Sequence, residues 1–130
     1  MDAQTHSNIM AALESEAFAC ARYTLMAEEA RAEGDIPVAE LLEGISRIGS
    51  HEHFAELARR IGLIGSDAEN LVTAINVESR EREETYRAFA AQARAAGEYE
   101  VAQLFEQIRA DKLDDVRALE RELERLEAPA

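Results

Sequence analysis

The sequence is poor in residues that cross-link, kink or interrupt a chain. It has one cysteine, two prolines, no tryptophan and six glycines among 130 residues. A single cysteine, Cys20, excludes an internal disulfide and is typical of a reducing compartment. Aromatic residues make up 5% of the chain, and β-branched residues never form a run that would predict a strand. Ala, Leu, Glu and Arg dominate what remains, and all four favour helices, so we predict an all-α protein.

Basic charge and long apolar runs are also scarce. Lys and Arg total 14 against 27 Asp and Glu, which gives a net charge of −13. A surface this acidic repels phosphate backbones and anionic membranes, so we expect neither nucleic acid nor a membrane as a partner. No apolar stretch approaches membrane-spanning length, and residues 1–10 lack the basic and apolar regions of a signal peptide. The expected location is the cytoplasm.

Four amphipathic segments are separated by short glycine-containing connections. Each carries apolar residues at helical spacing, which predicts four helices that pack as a bundle. Ser66 or Asp67 is placed to cap the third helix, and the length of the chain suits one domain spanning residues 1–130. The predicted helices span about 5–33, 36–61, 67–96 and 98–127.

The two halves of the chain repeat one another. Residues 23–45 match residues 86–108 at an offset of 63, whereas Glu16 matches Glu78 at an offset of 62. One residue has therefore been added between Glu78 and Tyr86. Helices absorb such an extra residue as a π-bulge, a feature often found at functional sites. We infer two stacked copies of one helical hairpin, which span about 5–61 and 67–127.

Several ionisable residues fall on the apolar stripes, where a bare carboxylate is costly. Glu16, Glu52, Glu78 and Asp115 lie at matching distances of about 27 Å from their hairpin turns, so four helices can bring them to one level. For one such residue alone, a solvated helix face is the commoner explanation. Their recurrence in both halves favours a shared site, and facing carboxylates repel unless a cation or protons intervene. The candidate metal ligands are Glu16, Glu52, His53, Glu78, Glu81 and Asp115.

The register leaves two questions open at this site. Only one of Glu52 and His53 can point straight inward, and the repeat offset maps Glu52 onto Asp115. Lys112 lies on the stripe of the fourth helix, and its repeat partner is Gly49. A charged lysine donates hydrogen bonds but cannot ligate a metal.

Four segments of the sequence resemble the rubrerythrin branch of the ferritin-like superfamily, and the similarity covers nearly the whole chain. They are ESEAFACARYTLMAEEARAEG, SHEHFAELA, NLVTAINVESREREETYRAFAAQA and GEYEVAQLFEQIRADKLDDV. The resemblance implies a ferritin-like four-helix bundle with a non-haem di-iron centre that reduces peroxide. It places Glu16 at a ligand position and Glu78 with Glu81 as a Glu-x-x-Glu pair. A rubredoxin-like iron site is absent, because that site needs four cysteines.

The departures from this family fall at two ligand positions. Where the resemblance implies a Glu on the second and the fourth helix, this chain has Gly49 and Lys112. A shift of one residue offers Ser50 with His53, or Asp111 with Asp114, and neither choice gives a Glu-x-x-His pair in both halves. A conventional di-iron centre is therefore compromised.

Two functions remain open from the sequence. In the first, the protein is a rubrerythrin-like oxidoreductase whose remaining ligands bind iron, or Mn or Zn, which suit oxygen-rich sites. In the second, it is a non-catalytic ferritin-like protein whose centre is a network of Lys112 and carboxylates, with a structural or partner-binding role. No sequence feature names an electron donor.

The connection between the two hairpins predicts the assembly. Residues 62–68 reach about 23–25 Å when fully extended, whereas a helix of about 26 residues is roughly 39 Å long. A ferritin-like crossover must run the length of the bundle, so this connection is too short to make it within one chain. An up-down-up-down monomer and a homodimer with exchanged hairpins remain, and we predict the exchanged homodimer.

Overall fold

The computed structural model describes residues 1–129, and within them every regular element is helical. All four predicted helices are present, and two of them contain a π-helical segment. The first and last run uninterrupted, whereas the second comprises α2, π1 and α3 and the third comprises α4, π2 and α5. The elements are α1 (Ala3–Ala32), α2 (Ile36–Ile48), π1 (Gly49–Phe54), α3 (Ala55–Arg60), α4 (Asp67–Arg80), π2 (Glu81–Thr85), α5 (Tyr86–Ala95) and α6 (Tyr99–Glu127).

The chain divides into two compact units, each of which is a helical hairpin. In the first, Met1–Ile64, α1 packs against α2, π1 and α3. In the second, which begins at Gly65, α6 packs against α4, π2 and α5. The all-α class is thus confirmed, while the ferritin-like arrangement and the exchange of hairpins stay predictions.

Each hairpin turns at a glycine whose backbone conformation is one that only a residue without a Cβ atom adopts freely. Gly34 and Gly97 have φ of 85° and 78°, the left-handed conformation that ends helices in the Schellman motif. The residue after each glycine donates its N–H back to the helix, from Asp35 to the Ala30 carbonyl and from Glu98 to the Ala93 carbonyl, both at 2.8 Å. The two turns are therefore built in the same way.

Helix α4 begins at a reciprocal cap. The Ser66 hydroxyl accepts the Glu69 N–H at 3.2 Å, and the Glu69 carboxylate accepts the Ser66 N–H at 3.3 Å. This capping box satisfies two of the N–H groups that a helix start leaves without partners. Of the two residues that the sequence offered, Ser66 is the cap.

Small residues allow the helices of each hairpin to approach closely. The most deeply buried side chains are mostly alanines, so little side-chain volume separates the paired helices. They are Ala27, Ala30, Ala39 and Ala58 in the first hairpin, and Ala90 and Ala102 in the second.

An apolar surface remains exposed on each hairpin. Leu41 is 64% exposed on α2, and Leu104 is 58% exposed on α6. No helix in the described part of the chain, residues 1–129, is both long enough and apolar enough to cross a membrane.

Candidate functional site: a lysine–carboxylate cluster and a glutamate–histidine pair

Lys112 of α6 points at two carboxylates of the facing helix. Its Nζ donates to Glu78 Oε2 at 3.0 Å and lies 2.7 Å from Glu81 Oε2. The Lys112 side chain is 13% exposed, and its ammonium lies 5.5 Å from the centre of the Tyr86 ring. Glu78 and Glu81 share a face because residues three apart on a helix are neighbours. The three residues form what we call the Lys112 cluster.

The carboxylates hold the proton on Lys112. Burial alone disfavours the charged amine and would lower its pKa, but the hydrogen bonds and charges of Glu81 and Glu78 outweigh burial and raise the pKa of Lys112 from 10.5 to about 12. One ammonium therefore faces two carboxylates at any physiological pH. The positive charge that facing carboxylates require is supplied by the chain itself.

The π2 segment confirms the bulge predicted between Glu78 and Tyr86. Glu81 is its first residue, and Tyr86 follows its last. The Tyr86 N–H donates to the Glu81 carbonyl, five residues back, rather than to the carbonyl four residues back as in an α-helix. The added residue of the second repeat is thus absorbed at the cluster.

In the first hairpin, His53 and not Glu52 faces the opposite helix. His53 Nδ1 lies 3.6 Å from Glu16 Oε2, and their side chains are 58% and 34% exposed. Glu52 is exposed and makes no ion pair within residues 1–129. Asp115 of α6 is likewise exposed. Of the six candidate ligands, the structure brings together Glu16 with His53, and Glu78 with Glu81.

The π1 segment explains this register and was not predicted. Because π1 absorbs one residue, residues beyond it match α6 at an offset of 62 rather than 63. Leu57, which lies beyond π1, then pairs with Leu119. Within π1 the offset changes from 63 to 62, so the match of Glu52 with Asp115 stays a prediction.

Gly49 occupies the place in the first hairpin that Lys112 occupies in the second. A Cβ atom on Gly49 would lie 3.1 Å from Glu16 Oε2 and 2.8 Å from Cys20 Sγ. Gly49 is buried, and beside it an open cleft of about 400 Å³ runs between the helices. The cleft is lined by Ser15, Glu16, Ala19, Cys20, Tyr23, Ile45, Ile48, Gly49 and His53.

Two helical glycines of the same hairpin give a matched test of this packing. A Cβ on Gly44 meets nothing within 4 Å, so Gly44→Ala is expected to stabilise the protein by about 0.5–1 kcal/mol through helix propensity. Gly49→Ala is expected to destabilise by about 1 kcal/mol, because overpacking outweighs the same gain. In a Cys20→Ala background, Gly49→Ala should become stabilising. Urea unfolding measures all three, and equal gains at both glycines would contradict the packing.

At the two positions where the resemblance implies a ligand on the second and fourth helices, this chain has Gly49 and Lys112. Within residues 1–129, no group of three or more His, Cys, Asp or Glu side chains lies close enough together to hold a metal ion. The second hairpin has Lys112 in contact with its two carboxylates, and the first has Gly49, which offers no donor side chain. The disagreement thus falls at the two positions where the sequence departs from the resembling family.

Arg109, which lies beside the Lys112 cluster, was not identified as a candidate residue by the sequence analysis. Arg109 Nε donates to the Arg82 carbonyl inside π2 at 2.9 Å. A contact from a side chain to a backbone carbonyl has no sequence pattern of its own. The repeat partner of Arg109, Ser46, donates its hydroxyl to the Cys20 carbonyl at 3.0 Å, a contact that the sequence does not reveal either.

Neither a comparison with models of protein families nor a comparison with curated proteins finds a match to this chain.

Proposed function

We propose that this protein is a non-catalytic, metal-independent helical module of ferritin-like design, in which Lys112 takes the place of a metal ion and the role is structural. The observation that carries the proposal is the position of Lys112 Nζ, 3.0 Å from Glu78 Oε2 and 2.7 Å from Glu81 Oε2. The ammonium neutralises the repulsion between these carboxylates and needs no bound cation to do so.

A divalent cation competes poorly with this ammonium. The amine has three N–H donors and, while charged, no lone pair to offer a metal. A cation bound to Glu78 and Glu81 would lie against the fixed charge of Lys112, and like charges at such distances repel strongly in a partly buried site. Because the pKa of Lys112 is raised to about 12, removing its proton to make room for a cation costs free energy near neutral pH.

Metal binding is tested on protein purified without chelator and without a nickel-affinity tag. We expect substoichiometric Fe, Mn and Zn by elemental analysis and a shift in Tm of no more than about 1 °C in 1 mM Mn²⁺ or Zn²⁺. A site filled at 100 times its Kd would add about 2.7 kcal/mol, which raises Tm by several degrees in a domain of this size. Two tightly bound irons per chain, with the visible absorption of an oxo-bridged pair, would overturn the proposal.

A second candidate is the metal-binding oxidoreductase that the rubrerythrin resemblance implies. The 3.6 Å approach of His53 Nδ1 to Glu16 Oε2 favours it, because histidine with carboxylate is a common ligand pair. Catalytic metal sites usually have a third protein ligand, and Gly49 has no side chain to provide it. If metal binds in the test above, His53→Ala should abolish binding, whereas His51→Ala should leave it intact.

The partner that we propose is a second copy of the chain. Each hairpin has an exposed apolar side chain, Leu41 in the first and Leu104 in the second, and burying these side chains against another chain would favour association. The connection at residues 62–68 supports exchange because it is too short for a ferritin-like crossover. A copy of the same chain supplies hairpins that carry the same stripe.

Sedimentation velocity at micromolar concentration tests this assembly. We expect a dimer for the parent protein and a shift toward monomer for Leu104→Glu, which places a charge on the apolar surface. Gln103→Glu adds the same charge at the neighbouring exposed position and should stay dimeric. A parent protein that sediments as a monomer rules the dimer out.

A further inference from the structure

In π2 the Arg82 carbonyl does not receive the Tyr86 N–H that it would accept in an α-helix. In an α-helix, the Tyr86 N–H would donate to this carbonyl, four residues back. Here the Tyr86 N–H donates to the Glu81 carbonyl instead. Backbone carbonyls inside a packed structure nearly always find a partner, so the π register is stabilised by any donor that compensates the Arg82 carbonyl.

Arg109 of α6 supplies such a donor. Its Nε donates to the Arg82 carbonyl at 2.9 Å, and its side chain is 24% exposed. Its Nη1 donates to Glu106 Oε2 at 2.9 Å, and the other oxygen of Glu106 lies 3.5 Å from Arg94 Nη1 on α5. The guanidinium is thus oriented from its own helix and, through Glu106, from the helix that follows π2.

The first hairpin has the equivalent contact without the bulge. Ser46, which matches Arg109 in the repeat, donates its hydroxyl to the carbonyl of Cys20, which matches Arg82 at the offset of 62. In that hairpin the accepting carbonyl belongs to the uninterrupted helix α1, and a short serine is long enough. The donor site is therefore a feature of both hairpins, and the second one uses it on a π segment.

We propose that Arg109 is a positioning residue for the Lys112 cluster. By bonding the Arg82 carbonyl it fixes the π register of residues 81–85 and so holds the Glu81 carboxylate against Lys112. Glu78 lies in α4, before the bulge, and its contact with Lys112 does not depend on that register. The inference rests on the proposed function, in which Lys112 is the cation of the cluster, and it adds the residue on which the Glu81 half of the cluster depends.

Two substitutions of Arg109 separate its hydrogen bond from its bulk. Glutamine carries its amide nitrogen on Cδ, where arginine carries Nε, so Arg109→Gln keeps a donor at the same distance from the backbone. Arg109→Met keeps a similar length of apolar chain and has no donor. Both lose the ion pair with Glu106, so a difference between them reports the bond to the Arg82 carbonyl.

Double-mutant cycles in the full-length chain measure the outcome. The free energy of unfolding in urea gives the coupling of Lys112→Met with Glu81→Gln and, separately, with Glu78→Gln. In the Arg109→Met background we expect the Lys112–Glu81 coupling, expressed as a ratio of unfolding constants, to fall by about threefold or more. The Lys112–Glu78 coupling should stay within about twofold of the parent value, and Arg109→Gln should retain both couplings.

A general loss of stability would move both couplings, so only the selective loss supports positioning. Three outcomes would overturn the inference while leaving Lys112 as the cation. The two couplings fall together in Arg109→Met, both couplings persist in Arg109→Met, or Arg109→Gln fails to retain the Lys112–Glu81 coupling. Absence of coupling from Lys112 to either carboxylate in the parent protein overturns the proposed function and the positioning role with it.

A second variant applies if Arg109→Met does not fold. Glu106→Gln removes the ion pair that orients Arg109 from the side of α5 and leaves the guanidinium in place. It should weaken the Lys112–Glu81 coupling and spare the Lys112–Glu78 coupling. Equal effects on the two couplings would again contradict the positioning role.

Discussion

Lys112→Met is expected to lower the free energy of unfolding by about 2 kcal/mol at pH 7. Losing one partner of a buried ion pair costs about 3–5 kcal/mol, and the exposure of Glu78 and Glu81, 25% and 38%, reduces that figure through solvent screening. The expected loss also agrees with the rise in the pKa of Lys112 from 10.5 to about 12, since each unit corresponds to about 1.4 kcal/mol.

The same prediction has a pH dependence of definite sign. Because the folded-state pKa of Lys112 lies above its ordinary value, its contribution to stability is complete below about pH 10.5 and is lost as the pH rises through about 12. The difference in unfolding free energy between the parent and Lys112→Met should therefore be constant near neutral pH and shrink only above pH 10.5.

Two controls isolate the cluster from general charge effects. Arg121→Met removes one positive charge from an exposed position of the same helix and should change stability by less than about 0.5 kcal/mol. The triple change Lys112→Met, Glu78→Gln and Glu81→Gln removes the whole cluster and should recover much of the loss. A Lys112→Met protein as stable as Arg121→Met would show that the cluster carries no stabilisation.

The second large expected effect is a gain of metal binding when glutamates replace Gly49 and Lys112, the two residues at which the chain departs from the resembling family. Lys112→Glu would place a third carboxylate beside Glu78 and Glu81 in the second hairpin. Gly49→Glu would give the first hairpin a carboxylate beside Glu16 and His53. Each hairpin then has three protein donors, and oxygen-rich sets of this kind suit Mn²⁺ and Fe²⁺.

The design needs Cys20→Ala as well, because a Cβ at position 49 would lie 2.8 Å from Cys20 Sγ. We expect the triple variant to be less stable than the parent without metal and to gain about 8–12 °C in Tm in 1 mM Mn²⁺ if one site binds with a Kd near 10 μM. Cys20→Ala with Lys112→Gln is the control, since it removes the ammonium without adding carboxylates. If the triple variant binds no more Mn²⁺ than this control, Gly49 and Lys112 do not stand at ligand positions.

The helices could be read from the sequence because each is marked by local chemistry. Apolar spacing, Gly34 and Gly97 at the turns and Ser66 at a helix start all act through neighbouring residues. The π2 segment could also be predicted, because its extra residue changes the offset between two well-matched stretches. The facing of Lys112 and Glu78 followed from the same repeat, although whether the amine contacts a carboxylate depends on rotamers that no pattern specifies.

The π1 segment escaped prediction because few residues follow it in the repeat. Beyond Phe54, the only identical apolar pair at the shifted offset is Leu57 with Leu119, which is too little to reveal a one-residue insertion. One residue rotates a side chain by about 100° around a helix, so the choice between Glu52 and His53 depended entirely on that insertion. Arg109 was missed for a related reason, because a contact with the Arg82 carbonyl can be expected only once the bulge at π2 is known.

The most direct measurement is the titration of Lys112 itself. It is the only lysine in the chain, so labelling with ¹³C-lysine gives a single Cε signal whose chemical shift follows the protonation of one amine. We expect this amine to be still charged at pH 11, with a pKa of about 12, and we expect Glu78→Gln with Glu81→Gln to lower the pKa. A pKa at or below the ordinary lysine value of 10.5, unchanged by those substitutions, would contradict the claim that Lys112 is the cation of this site.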